Sequence, residues 1–260
     1  MGLLEGKKGL VMGVANDHSI CWGIAQALHA EGADLGFTYA GEAFERRVRP
    51  LAESLQAKLI APCDVQKDEE IAAVMAQARE VYGQLDIIIE GVAAAKREEL
   101  SGQFLNTSRD GFLYAMEVSA YSLTAVARAA SEAGLLKNGT SIITLTYHGS
   151  QQVAPNYNVM GVAKAALESS VRYLAYDLGP RGVRVNAISP GPVRTLSAAG
   201  VSSFRDFYKR FPEIAPLRRQ ITLDDIGKTA VWLCSDWASA ITAEVIYVDA
   251  GAHQVMLAFD

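Results

Sequence analysis

The sequence is poor in cysteine, with only Cys21, Cys63 and Cys234 in 260 residues. Their odd number and wide spacing exclude a disulfide framework and a CxxC metal site. Free thiols fit a reducing compartment. Excess charge of one sign is also scarce: the formal charge of −5 is spread along the chain. Arg46, Arg47 and Arg49 form too local a run to mark a nucleic-acid surface. No apolar stretch is long enough to span a bilayer. The amino terminus, Met1 to Lys8, is charged and leads directly into a strand-like run, unlike a signal peptide. No linker, repeat or low-complexity segment interrupts the chain. These absences leave a cytoplasmic globular protein that acts on neither membranes nor nucleic acid.

What is present is alternation. Strand-like runs at Gly9 to Met12, Asp34 to Tyr39, Leu59 to Cys63, Leu85 to Ile89, Ser141 to Leu145, Val183 to Ile188 and Glu244 to Val248 are apolar almost throughout. Helical periodicity separates them, at Ile20 to Glu31, Glu42 to Ser54, Lys67 to Val81, Asp110 to Glu132, Tyr157 to Leu178 and Leu223 to Cys234. Apolar strands separated by helices indicate a parallel sheet buried on both faces. The alternation runs through both halves, so residues 1–260 read as one α/β domain. It is a Rossmann fold, doubly wound, with a mostly parallel sheet of about seven strands and helices on both faces.

The first strand is followed by Gly13, then Ser19, Ile20 and Gly23 as a helix opens. A strand–loop–helix start presents backbone N–H groups and a positive dipole end to an anion. Gly13 permits a tight turn, Ser19 sits where a helix cap or phosphate donor is useful, and Gly23 allows the helix close to the strand. The spacing departs from GxGxxG, so a glycine turn with a serine cap has similar weight. The second strand ends Thr38-Tyr39-Ala40-Gly41-Glu42 without a carboxylate at its tip, which leaves NAD against NADP open. Asp64 reads equally as an adenine partner or as a cap for the next helix.

The strongest constellation is Tyr147, Tyr157 and Lys164. Tyr147 follows a strand at its carboxyl end, where open α/β sheets bind ligands. At about 100° per residue, a spacing of seven places Tyr157 and Lys164 on one helix face. There a phenol can hydrogen-bond a carbonyl oxygen that becomes an oxyanion, while an ammonium holds ribose hydroxyls. His148 reads as a loop histidine, because neither a partnering carboxylate nor metal-ligand spacing accompanies it.

Several motifs in order resemble the enoyl-acyl-carrier-protein reductase branch of the short-chain dehydrogenase/reductase superfamily. They are Gly13-x5-Ser19-x3-Gly23, Cys63-Asp64-Val65, Ser119-Ala120-Tyr121-Ser122, the run Pro155 to Gly161, Tyr157-x6-Lys164, Arg184 to Ser189, Gly191 to Thr195 and Val248 to Gly251. The resemblance implies reduction of trans-2-enoyl thioesters by NADH, with NADPH the alternative. It implies Tyr157 as donor to the thioester oxygen, and Tyr147 lining the acyl pocket and assisting. Ala94, Ala95 and Met160 would join these tyrosines against substrate. The cofactor would meet Gly13, Ser19 and Ile20 at its pyrophosphate, Asp64 and Val65 at its adenine, and Lys164 at its nicotinamide ribose. Gly91, Leu145, Val193 and Thr195 would complete that site. Residues 196–211 would form a substrate lid. A homotetramer is implied, with acyl-carrier protein docking on basic residues, for which Arg205, Lys209 and Arg210 are the candidates.

The chain departs from this pattern after the fourth strand. Where the family has His-Ser-Ile-Gly/Ala-Phe-Ala, it has Glu90-Gly91-Val92-Ala93-Ala94-Ala95. The aromatic missing at Ala94 reshapes the acyl side, and Glu90 adds a carboxylate whose ordinary reading is a solvated or paired structural group. Two alternatives follow: a diverged paralogue acting on a specialised enoyl or carbonyl substrate, and a silent nucleotide-binding member. Retention of Tyr147, Tyr157 and Lys164 argues against silence.

Overall fold

The computed structural model describes residues 2–195 and 204–255. The strands are β1 (Lys8–Met12), β2 (Asp34–Tyr39), β3 (Ile60–Pro62), β4 (Leu85–Glu90), β5 (Leu136–Leu145), β6 (Arg184–Pro190) and β7 (Val245–Val248). They form one sheet in the order β3-β2-β1-β4-β5-β6-β7, and every neighbouring pair is parallel. The helices are α1 (Ile20–Ala30), α2 (Glu42–Ser54), α3 (Asp68–Tyr82), α4 (Arg109–Met116), α5 (Ser122–Glu132), α6 (Val159–Leu178), α7 (Phe204–Ile214) and α8 (Leu223–Cys234).

Successive strand side chains point to opposite faces. In β1, Leu10 and Met12 therefore enter one core while Val11 enters the other. In β5, Ile142 and Ile143 divide in the same way. Residues of α3, α5 and α6 close the first core, and residues of α1, α2 and α8 close the second. Both faces are covered, which is why the strands are apolar throughout rather than alternating. The strand order reverses between β1 and β4, creating the crevice where doubly wound sheets take ligands.

Four local features differ from the sequence reading. Helix α6 begins at Val159, so Tyr157 precedes it. Asn156 and Asn158 take positive φ on either side of Tyr157, a backbone state that delays the helix and that Asn tolerates. The helix expected over Asp110 to Glu132 is divided between α4 and α5 by a π-turn at Glu117–Tyr121. Strand β5 starts five residues earlier than expected, at Leu136. Gly23 faces α8 rather than a strand, since a Cβ there would lie 2.6 Å from Leu223 Cβ. Gly227 of α8 has a matching constraint, with a Cβ 2.7 Å from that of Ala27. The two glycines let α1 and α8 pack at close range.

Candidate active site

The floor of the crevice is glycine. Gly13 follows β1 with φ +105°, and a Cβ there would stand 2.6 Å from the Gly91 carbonyl carbon. Gly91 follows β4, donates its N–H to Met12 O at 3.0 Å and has no room for a Cβ beside Cys21 Sγ. A side chain at Gly13 would collide with the loop after β4, and one at Gly91 with Cys21 and Leu145, so the two glycines let these segments close up at the carboxyl edge of the sheet. Ser19 does not cap α1 as expected. Its hydroxyl accepts from the N–H groups of Ala15 and Asn16 at 2.9 and 3.0 Å, fixing the loop. The amino end of α1 is left without a side-chain cap and keeps its positive pole for an anion. The residues present thus fit a dinucleotide.

Asp64 caps no helix either. Its carboxylate accepts from the Gln66 N–H at 3.1 Å, shaping the turn after β3. Val65 is buried in the core, so any adenine contact there falls to its backbone. Ile20 and Val193 are half-buried at the margin of the other core, and Thr195 is half-buried after β6. Gly13, Asp64, Gly91, Leu145 and Val193 therefore lie along one carboxyl edge of the sheet, at the ends of β1, β3, β4, β5 and β6.

The reacting end is built on β5 and the start of α6. Tyr147 and Tyr157 stand edge to face, with ring centroids 4.9 Å apart. Gly149 lets them close, because a Cβ there would lie 2.8 Å from the Tyr157 ring and 3.0 Å from that of Tyr147. Burial raises the pKa of both phenols above the ordinary range, and Tyr147 adds to the rise at Tyr157. Both are protonated donors at neutral pH. Lys164 is buried and donates to Leu145 O at 2.7 Å, two residues before Tyr147. Burial pulls the Lys164 pKa down to about 8, against the opposing carboxylates Glu90 and Glu168.

The acyl side gathers Ala93, Ala95, Leu100 and Tyr157 around Ala115, Val159 and Met160. Ala94 is held through its backbone: its N–H donates to Ser119 Oγ at 3.0 Å, and that hydroxyl donates to Ala94 O at 3.0 Å. Ser119 lies in the π-turn between α4 and α5, a distortion that often marks functional positions. Ser119, Ser122 and Glu168 carry no functional signal of their own in the sequence, although the first two stand in the Ser119-Ala120-Tyr121-Ser122 motif. Glu168 accepts from Thr146 Oγ1 at 2.7 Å and from Ser150 Oγ at 2.5 Å, which fixes the turn after Tyr147. His148 packs edge-on against Tyr247, with centroids 5.7 Å apart. Of the expected lid, 196–203 fall outside the described residues and 204–211 lie in α7. A separate cavity of about 610 Å³, lined by Lys8, Arg79, Asp86 and Lys137 among others, opens at the amino ends of the strands, far from these groups.

A glycine-floored crevice at a switch point, beside a tyrosine pair and a buried lysine, defines a nicotinamide-dependent short-chain reductase. The family model described as "Enoyl-(Acyl carrier protein) reductase" matches residues 13–253. The Bacillus cereus NADH-type enoyl-acyl-carrier-protein reductase is 54% identical over 255 residues, covering 97% of this chain and 99% of that one. A crystal structure of the Bacillus cereus enzyme with NADP+ and indole naphthyridinone superposes with a TM-score of 0.95 at 53% identity, covering 99% of this chain and 100% of that one. The Anaplasma phagocytophilum reductase in complex with NAD gives a TM-score of 0.94 at 48% identity, over 98% and 97%. The chain belongs to the enoyl-acyl-carrier-protein reductase family.

Proposed function

We propose that this protein reduces the C2–C3 double bond of trans-2-enoyl thioesters with NADH, as a step of fatty-acid synthesis. The observation that carries the reading is the tyrosine pair, 4.9 Å apart, with buried Lys164 held on Leu145 O two residues before Tyr147, in a chain similar throughout to such reductases. When bound, NADH supplies a hydride to the β-carbon. The thioester oxygen then gains enolate charge, the Tyr157 phenol donates a hydrogen bond to it, and collapse of the enolate with a proton taken up at C2 completes the reduction. Tyr147 packs against Tyr157, fixes its ring and walls the acyl chain. The Lys164 ammonium holds the nicotinamide ribose, anchored from behind by Leu145 O. Gly13, Ser19 and Ile20 take the pyrophosphate, Asp64 and Val65 the adenine, and Gly91, Leu145, Val193 and Thr195 the remainder. Ala94, Ala95 and Met160 line the acyl pocket, and the lid includes the first turns of α7.

The substrate arrives on acyl-carrier protein, an acidic carrier met by Arg205, Lys209 and Arg210, all exposed on α7. Reversing the charge of Arg205 and Lys209 raises KM for carrier-borne substrate and spares the coenzyme A thioester. An equal change for both would sink that docking site. The protein is one domain and assembles as a homotetramer. Three buried free thiols suit the reducing cytoplasm, and among the described residues no helix is long and apolar enough to cross a membrane.

The direct test is loss of nicotinamide absorbance with a trans-2-enoyl thioester and NADH, run beside NADPH. Rapid oxidation of NADH is the expected result. Binding of NADH without turnover on any enoyl thioester would refute the reading.

A further inference from the structure

Glu90 ends β4 at the switch point, in register with Met12 of β1 and Thr144 of β5. It is 1% exposed, and a carboxylate is almost never buried without partners. Three donors meet it: Ser122 Oγ at 3.1 Å, Thr144 Oγ1 at 3.1 Å and the Val92 N–H at 3.2 Å. The first comes from α5, the second from β5 and the third from its own loop. Ile88, two residues earlier, enters the core shared with α5 and α6, so Glu90 points to the same side of the sheet. Helix α6 brings Lys164 to that side, and the Lys164 ammonium sits on Leu145 O, one residue beyond the Thr144 that serves Glu90.

We propose that Glu90 is a positioning residue of this reductase, whose carboxylate keeps Lys164 in its cationic, ribose-binding form and pins the Gly91–Val92 turn against the cofactor floor. The inference rests on the ribose-binding role of Lys164 given above. The other titratable groups around the pair are Cys21 at the start of α1, Cys63 after β3, and Glu168 one turn along α6. Burial pushes both thiols up to about 12, so they carry no charge near neutrality. Glu168 is already engaged by Thr146 and Ser150. Glu90 is thus the anion whose removal most changes the field at Lys164. Burial raises the Glu90 pKa, while Lys164 and the three donors oppose that rise.

Lys164 loses its proton as pH climbs through about 8, and cofactor affinity falls with it. Removing the facing anion lowers the lysine pKa further, because an opposite charge nearby favours the charged form. Affinity should then fail at lower pH.

The experiment is NADH affinity by fluorescence from pH 6 to 10 for the parent protein, Glu90→Gln, Glu90→His and Lys164→Ala. Histidine is the residue the family usually carries here, so that variant guards against a glutamine variant that fails to fold. Both Glu90 variants should bind NADH at pH 6 and lose affinity roughly one pH unit earlier than the parent, with Lys164→Ala weak across the range. An alkaline limb that stays at the parent's pH in a folded Glu90 variant overturns the inference while leaving the role of Lys164 intact. Lys164→Ala binding NADH like the parent overturns both.

Discussion

At the scale of single residues, the proposed reaction divides its labour between a phenol, Tyr157, and an ammonium, Lys164. Tyr157 is a raised-pKa donor packed against Tyr147. Lys164 is anchored on β5 and faces buried anions. Replacing Tyr157 with Phe removes one donor to a developing oxyanion, a loss of about 10²–10³ in kcat for such groups. Its NADH affinity should stay close to the parent value, whereas Lys164→Ala should weaken NADH. Steady-state kinetics combined with direct binding would decide the matter: equal loss of NADH affinity in both variants would end this division. The residue types and spacing of the pair were legible in the sequence, but not its geometry: Tyr157 precedes α6, so the two side chains do not share one helix face as the spacing of seven implied. The partners of Glu90 were not readable. They come from α5, β5 and the following loop, and only the folded sheet brings Ser122 and Thr144 to one carboxylate.

At the scale of elements, strands and helices followed from apolar runs and periodicity, since both sheet faces are covered and leave an unbroken apolar signature. Strand β2 and helices α2 and α8 begin and end where the pattern placed them. The π-turn at Glu117–Tyr121 left no trace in that pattern, because one extra residue in a turn barely disturbs amphipathicity. Its effect is local and chemical: it presents Ser119 to the Ala94 backbone. Ser119→Ala deletes both hydrogen bonds to Ala94 and leaves its part-buried N–H and C=O without that partner, at a cost of about 1–3 kcal/mol. The loss falls on the acyl loop rather than on the dinucleotide floor. The expected outcome is a KM for enoyl thioester raised about tenfold or more, with NADH affinity unchanged. Matched losses for both ligands would mean that the π-turn merely supports the fold.

At the scale of the whole molecule, the helices that carry the chemistry also carry the least finished surface. Leu113, Tyr121, Val162, Tyr173 and Tyr176 stand exposed on α4, the π-turn and α6. Between α4, α5 and α6 lies a cavity of about 560 Å³, lined by Leu113, Met116, Ala120, Tyr121 and Ala166 among others. An apolar surface of this kind is uncommon on a monomer and suits a second copy of the chain. Helix α6 holds Lys164, and the π-turn holds Ser119, so packing against this face would brace both from behind. Leu113→Arg with Tyr173→Glu should therefore have two effects. Sedimentation velocity should show a species smaller than that of the parent, proposed above to be a tetramer, and activity per chain should fall as the unbraced helices loosen. A parent protein that sediments as a monomer would refute the assembly. A dissociated variant with full activity per chain would keep the assembly but show that each subunit holds its own site rigid, with the Glu168 bonds to Thr146 and Ser150 and the Lys164 bond to Leu145 O sufficient to fix α6 against β5.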